Sequence, residues 1–398
     1  MTPARPWVVL VATLTIQALV AMALMTLPVV APVVAKELDI STTYVGAYVA
    51  LVYFAAMVSS LLGGAAVKRW GAIRLSQVGL FCSGLGLCLC AVPQPVVIAL
   101  GALFIGAGYG PITPASSHLL IKTTPPSQLS LVFSIKQTGV PLGGMVAGAL
   151  VPSLDLLIGW KWTFIAAGIA CWLCAWSVQS LRAGLDDDRD PTVKPSILKT
   201  GVLPLKLIFG HRSLKVLSFM SFLFAICQMS LMAYLVTFLF EDLGWSLVAA
   251  GVALTVAQAA GVGGRIFWGY VADRWLGAVM MLIVITVLLA VGAVGTAFLR
   301  EDTSLWILFP ILIVFGASAI GWNGVYLAEI ARQAPKGQAS VATGGTLCIT
   351  FLGVMLGPPF FGLVAGTVHS YGLSYGFLLI PAIVIFVLLM RLRSGPSA

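Results

Sequence analysis

Two basic residues, Lys136 and Arg265, are set inside long apolar runs, where a charge is hardest to keep. A Lys or Arg at the centre of a membrane helix costs about 2.5–3.5 kcal/mol on insertion scales, so one retained there marks an ion or substrate contact by default. Each lies about seven residues from the nearer, basic end of its run, roughly 10 Å deep at a rise of about 1.5 Å per residue. The chemistry they offer is anion capture. Arginine grips a carboxylate through two parallel hydrogen bonds, whereas lysine acts as a point charge. Each also has a plainer reading. Lys136 would snorkel to the surface, and Arg265 would be a structural neighbour of Asp273, two turns further on.

Neutral hydrogen-bonding groups lie in the same kind of run: Gln17, Tyr48, Tyr53, Gln137, Gln228, Tyr234, Asn323 and Tyr326. They read either as substrate contacts or as ties between helices, because polar side chains join helices across a bilayer. Trp322, next to Asn323, reads as a packed ring or as an apolar surface for substrate. Glu329 is the one carboxylate expected within an apolar run, with Arg332 as its expected ion-pair partner one turn on; His118 stands in the same relation to Lys122. With no other acidic residue in mid-run, an obvious proton relay is not expected. There is no phosphate-cradling glycine loop, no metal-ligand cluster and no nucleophile–base set. The chain therefore reads as neither an ATP-driven pump nor an enzyme, with no cofactor and no metal.

The elements that must position these residues are twelve apolar stretches, running from 8–34 to 372–392 and filling nearly all of the 398 residues. About 20 apolar residues span a hydrocarbon core of roughly 30 Å, and long uniform segments of this kind are helices. The composition agrees, at 60% hydrophobic and 9% charged. The net charge of +9 is a matter of topology: 17 of the 22 Lys and Arg fall in the termini and even-numbered connections, against Lys36, Lys161 and Arg300 on the other side. Basic loops mark the cytoplasmic face, so both termini are expected there, in a cell or bacterial inner membrane. Nucleic-acid binding is excluded as a reading. The expected partners are the bilayer and a small-molecule substrate, with a monomer as the working assembly. The first run is too long for a signal-peptide core. All seven cysteines lie inside apolar runs, so the Cys171/Cys174 spacing reads as packing.

A polar stretch at 182–214 separates two halves, 1–181 and 215–398, each with six runs. Its acidic run, Asp186 to Asp190, reads as a solvated linker. The halves repeat one another. At an offset of 205, Leu38 matches Leu243, Gly46 matches Gly251, Gly64 matches Gly269 and Arg69 matches Arg274; at 210, Gly106 matches Gly316, Pro125 matches Pro335, Gln128 matches Gln338, Ser130 matches Ser340 and Gly143 matches Gly353. Two parallel six-helix repeats suit a rocking transporter with its substrate site near the bilayer midplane. Prolines such as Pro111, Pro141, Pro358 and Pro359 are candidate kinks.

Gly269-Tyr-Val-Ala-Asp273-Arg274 resembles the GxxxDRxGR loop of the major facilitator superfamily, and the similarity extends over the whole chain. Leu276 displaces the second glycine to Gly277. The first-half loop, Gly64-Ala-Ala-Val-Lys68-Arg69-Trp70-Gly71, keeps the glycines and Arg69 but has Lys68 for the aspartate. The resemblance implies an all-α fold of twelve membrane helices in two pseudo-symmetric bundles, and a gate formed by Gly269, Asp273, Arg274, Gly64 and Arg69. It implies that Asp273 caps the start of helix five near Ser130, and that helices five and eight are neighbours, so that an anion would relieve the repulsion of Lys136 and Arg265. Gly264-Arg265-Ile-Phe-Trp-Gly269 is similar to the eighth helix of monocarboxylate and oxalate/formate-type transporters, whose matching arginine binds carboxylate. The strict Gly-Pro pair of antiporters is absent from helix five, and Ala102 stands near the fourth-helix arginine position of proton-coupled members. The expectation is a secondary transporter of a small organic anion, with substrate contacts at Lys136, Arg265, Gln137, Gln17, Tyr48, Gln228, Asn323 and Tyr326. The rival readings are an exporter of hydrophobic or cationic compounds and a non-transporting receptor or scaffold.

Overall fold

In the computed structural model the twelve apolar runs are twelve helical spans: α1 (Pro6–Val29), α2 (Thr42–Trp70), α3 (Ala72–Cys90), α4 (Pro95–Thr123), α5 (Ile135–Ile158) and α6 (Trp160–Leu185), then α7 (Arg212–Glu241), α8 (Leu247–Leu276), α9 (Ala278–Ala297), α10 (Leu305–Gln333), α11 (Ala342–Val368) and α12 (Tyr371–Arg393). The structure describes residues 6–125, 129–192, 205–335 and 339–393. Gln128 and Gln338, which carry part of the repeat, lie outside the described residues, as do the side chains of Ser130 and Ser340. Helices of this length meet their own backbone hydrogen-bonding needs, which lipid requires.

The chain forms two compact units, one of Met1–Ser41 with Tyr48–Leu198 and the other of Thr42–Ala47 with Lys199–Ala398. The first turn of α2 thus groups with the second unit. There the Thr42 hydroxyl donates to Glu241 Oε2 at 3.1 Å, and the Tyr234 hydroxyl donates to the Thr43 carbonyl at 2.8 Å.

The repeat is written in the packing of each unit. In the first, a Cβ on Gly106 of α4 would stand 1.9 Å from the Val52 carbonyl oxygen of α2; in the second, a Cβ on Gly316 of α10 would stand 2.2 Å from that of Ala257 on α8. Gly143 and Gly353 form a second such pair, against the Ala18 and Phe222 carbonyls at 2.3 and 2.2 Å. Only glycine lets backbones come this close. One helix break repeats too, that of α4 and α10, whereas the break of α5 has no counterpart in the continuous helix Ala339–Val368. α4 is interrupted at Gly110-Pro111 and α10 at Trp322, while α5 breaks at Thr138, between Leu129–Gln137 and Gly139–Ile158. Pro358 and Pro359 do not break theirs: both lie inside the continuous helix Ala339–Val368.

Three sequence expectations need correction. The 182–214 stretch is not wholly a linker, because Arg182–Leu185 is helical and the long helix of α7 begins at Arg212. Its acidic run is not simply solvated. Asp186 is only 5% exposed and takes the backbone N–H groups of Ile73 and Arg74 at 2.8 and 3.0 Å, which satisfies orphan donors at the start of α3. Beyond it, the Asp190 N–H donates to the Lys68 carbonyl, His118 Nε2 and Asp188 Oδ2 are 2.7 Å apart, and Lys122 pairs with Asp187 and Asp188. Residues 186–190 thus strap the ends of α2, α3 and α4 together within the first unit. Finally, Glu329 is not the only carboxylate on a membrane helix, since Asp155 lies in the last turn of Gly139–Ile158 and Glu241 ends Arg212–Glu241.

Candidate functional site

In the first unit the break of α5 sets the position of Lys136. Thr138 turns back on the preceding turn, its N–H and hydroxyl both donating to the Ile135 carbonyl at 3.0 and 2.6 Å. Lys136, two residues before the break, is 1% exposed, and its Nζ has no hydrogen-bond partner among the described residues. One turn further, Gly139 lies against Gln17 of α1: a Cβ there would be 2.9 Å from both Cβ and Cγ of Gln17. Gln17 is also 1% exposed, and neither atom of its amide has a partner among the described residues. Two buried polar groups thus stand unsatisfied on neighbouring helices. Each costs free energy until something enters to bond it.

The other predicted residues of this unit are more ordinary. Tyr48 is buried and its hydroxyl reaches the Leu24 carbonyl at 3.4 Å, a tie between helices. Gln137 is partly exposed and already engaged in interactions of its own.

In the second unit the break of α10 organises the polar groups. Arg265 of α8 donates through Nε to the Ile320 carbonyl at 3.1 Å, and Trp268 donates to the Ala317 carbonyl at 2.8 Å. Arg265 is therefore tied to the broken helix as well as being a candidate ligand. Just past the break, Gln228 Oε1 accepts from the Trp322 indole at 3.0 Å and from the Asn323 amide at 3.3 Å. Trp322 is fully buried and stacks on Phe224, with centroids 5.0 Å apart. It is the packed ring that the sequence suggested, and its N–H also holds Gln228.

Tyr326 is buried among the hydroxyls of Ser221, Thr346, Thr350 and Ser218, yet among the described residues its own hydroxyl makes no well-formed hydrogen bond. Ser221 and Thr350 are bonded to each other at 2.8 Å. Sequence reading missed this hydroxyl group, although the repeat contained the signal. Thr346 stands 210 residues after Lys136, and Ser221 stands 204 after Gln17, the offset that also relates Ala18 to Phe222. The position pair that holds an amine and an amide in one unit holds two hydroxyls in the other.

Glu329 is 2% exposed and paired with Arg332, as expected, and it also accepts from Gln333 at 2.9 Å. His118 pairs with Asp188 of the strap. In the loop motif, Asp273 and Arg274 are exposed on a π-helical turn, Ala272–Leu276, with Arg274 over the Tyr270 ring. Gly71 and Gly277, at equivalent places in the two halves, both have positive φ, +93° and +74°. Among the described residues nothing lies within 4 Å of a Cβ placed on Gly64 or Gly269. The partner expected for Asp273, at Ser130, lies outside the described side chains.

Comparison with known proteins supplies the wider frame. The family model for the Major Facilitator Superfamily matches residues 13–348. The benzoate transport protein of Acinetobacter baylyi is 24% identical over 388 residues, covering 89% of this chain and 82% of that protein. The hexuronate transporter of Bacillus subtilis is 21% identical over 255 residues, 62% of this chain and 60% of its own length. Among solved structures, a bacterial homologue of the human lysosomal transporter Spinster superposes with a TM-score of 0.76 at 17% identity, covering 98% of this chain and 99% of that one. The human organic anion transporter MFSD10 does so at 0.69 and 16%, covering 97% and 100%. At these identities the structures establish the fold.

Proposed function

Because this chain belongs to the Major Facilitator Superfamily, and is thus a secondary transporter of that type, we propose that it moves a small organic anion, a carboxylate, by alternating access. The observation that carries this reading is Lys136, buried to 1% exposure with no acceptor among the described residues. An ammonium in such a place is stabilised by an anion that enters, and the unpartnered Gln17 amide beside it offers a further donor. Relatives named for benzoate and hexuronate transport support the same class of cargo. A cationic cargo would call for an acidic group there instead.

Arg265 is proposed as the anion contact of the second unit. Its Nε tether to Ile320 orients the guanidinium plane, which lysine cannot reproduce. Gln137 and Tyr48 are minor candidates. The loop residues Gly269, Asp273, Arg274, Gly64 and Arg69 are proposed to gate the cycle, in a cell or inner membrane with both termini cytoplasmic.

The test is thermal stabilisation of purified protein by carboxylates, benzoate and glucuronate among them, in wild type and Lys136→Gln. Losing a buried charge-assisted contact costs about 2–5 kcal/mol, roughly 30-fold or more in affinity. Anions should stabilise the wild type, and the variant should bind them at least that much more weakly. Failure of every carboxylate to stabilise, or affinity in the variant within a few-fold of wild type, would overturn the reading.

A further inference from the structure

We infer that the amide pair Gln228 and Asn323, oriented by the Trp322 indole, binds a hydroxyl group of the substrate, which makes the cargo a hydroxylated organic acid rather than a bare carboxylate. This deepens the function proposed above and rests on it.

The argument begins with a fixed orientation. An amide can usually be turned to exchange its oxygen and nitrogen without changing shape. Here that freedom is removed, because an indole nitrogen is a donor only. The Trp322 N–H lies 3.0 Å from the end of the Gln228 side chain, so that end must be the oxygen. The Asn323 amide, 3.3 Å from the same atom, must then present its NH2. What remains follows from the inventory of groups. Gln228 presents Nε2, whose only other contact among the described residues is a weak one to Met232 Sδ at 3.8 Å. Asn323 presents Oδ1, with no partner among those residues. Both side chains stay partly exposed, while Trp322 behind them is wholly buried.

One outward donor beside one outward acceptor matches a hydroxyl, which accepts from Gln228 and donates to Asn323. A carboxylate has no proton to give, and would set its charge against Asn323 Oδ1. Trp322 acts through Gln228 and is a positioning residue. Its ring is clamped between Phe224, at 5.0 Å, and Tyr326, at 5.1 Å. The substitution Trp322→Phe keeps much of that packing and removes the N–H alone.

The experiment uses two six-carbon carboxylates, D-gluconate and hexanoate, as competitors of transport and as stabilising ligands of the full-length protein in proteoliposomes. Wild type should prefer gluconate by about tenfold or more, as expected when a built polar pair is left unmatched by the deoxy analogue. Gln228→Glu retains the acceptor for Trp322 but replaces the outward donor and adds a carboxylate, so both ligands should weaken, gluconate by more, and the preference should vanish. Trp322→Phe should weaken gluconate several-fold and leave hexanoate alone, which also reports that the variant is folded. Added to Gln228→Glu, it should do nothing further. Equal or better binding of hexanoate by wild type overturns the inference, and the anion reading survives if Lys136→Gln weakens both ligands. A Trp322→Phe effect that is the same for both ligands overturns the positioning role. Should neither carboxylate bind, the inference falls, while the anion reading is decided separately by the benzoate and glucuronate measurements.

Discussion

The carboxylate of Asp186 occupies the ground a side chain at Gly71 would need: a Cβ on Gly71 would stand 2.2 Å from Asp186 Cγ. The two residues are 115 positions apart in sequence. They meet because the backbone turns between α2 and α3 at φ +93°, which exposes the first N–H groups of α3 to Asp186. A carboxylate from the far end of the unit thus serves the start of α3.

Gly71→Ala should therefore be costly. A residue with a Cβ pays about 1–3 kcal/mol at φ +93° and ψ 154°, a region essentially confined to glycine, and here it also displaces Asp186. Asp186→Ala should cost about 0.5–2 kcal/mol through the lost cap. Gly64→Ala, inside helix Val45–Trp70 with no described residue within 4 Å of its Cβ, should be neutral or gain up to about 1 kcal/mol. Thermal melts of the three variants in one detergent check the ranking, and a Gly71→Ala protein as stable as Gly64→Ala would contradict it.

The strap should let go in acid. The hydrogen bond and charge of Lys122 hold the Asp187 carboxyl below the usual carboxylate range, and hydrogen bonds from Thr192 do the same for Asp190. At Asp188, partial desolvation is outweighed by hydrogen bonds from His118 and Lys122, so its pKa is lowered too. Groups depressed in the folded state contribute stability above their ordinary pKa, about 3.9 for Asp, and lose it as pH falls through the lowered folded values. Hydrogen exchange at residues 186–192 should be slow from about pH 5 to 7 and fast by about pH 3, with exchange rates corrected for their intrinsic pH dependence. Protection that persists at the lowest pH would count against the carboxylates as its source.

The orientation proposed from charge has its own check. On a background lacking native cysteines, probes replacing Asp188 and Glu241 should label from opposite sides of the membrane, with position 188 on the cytoplasmic face. Labelling from the same side would reject the topology.

Much of this molecule is legible along the chain because lipid simplifies the code. An apolar run of sufficient length has one stable conformation in a bilayer, so all twelve spans could be read without tertiary information. The repeat was legible as well, since Gly106 and Gly316 each meet a carbonyl at equivalent crossings, and only glycine fits at such contacts. Lys136 stood out because burying a cation is expensive wherever it occurs. What needed the tertiary structure were relations between groups far apart in sequence. Periodicity does not show that Asp186 caps α3, that Arg265 is tethered to a carbonyl of a broken helix, or that Trp322 turns the Gln228 amide outward. A hydrogen bond is directional and reaches only about 3 Å. Side-chain identity therefore supplies the donors and acceptors, but which of them meet is decided by how the helices pack and where they break.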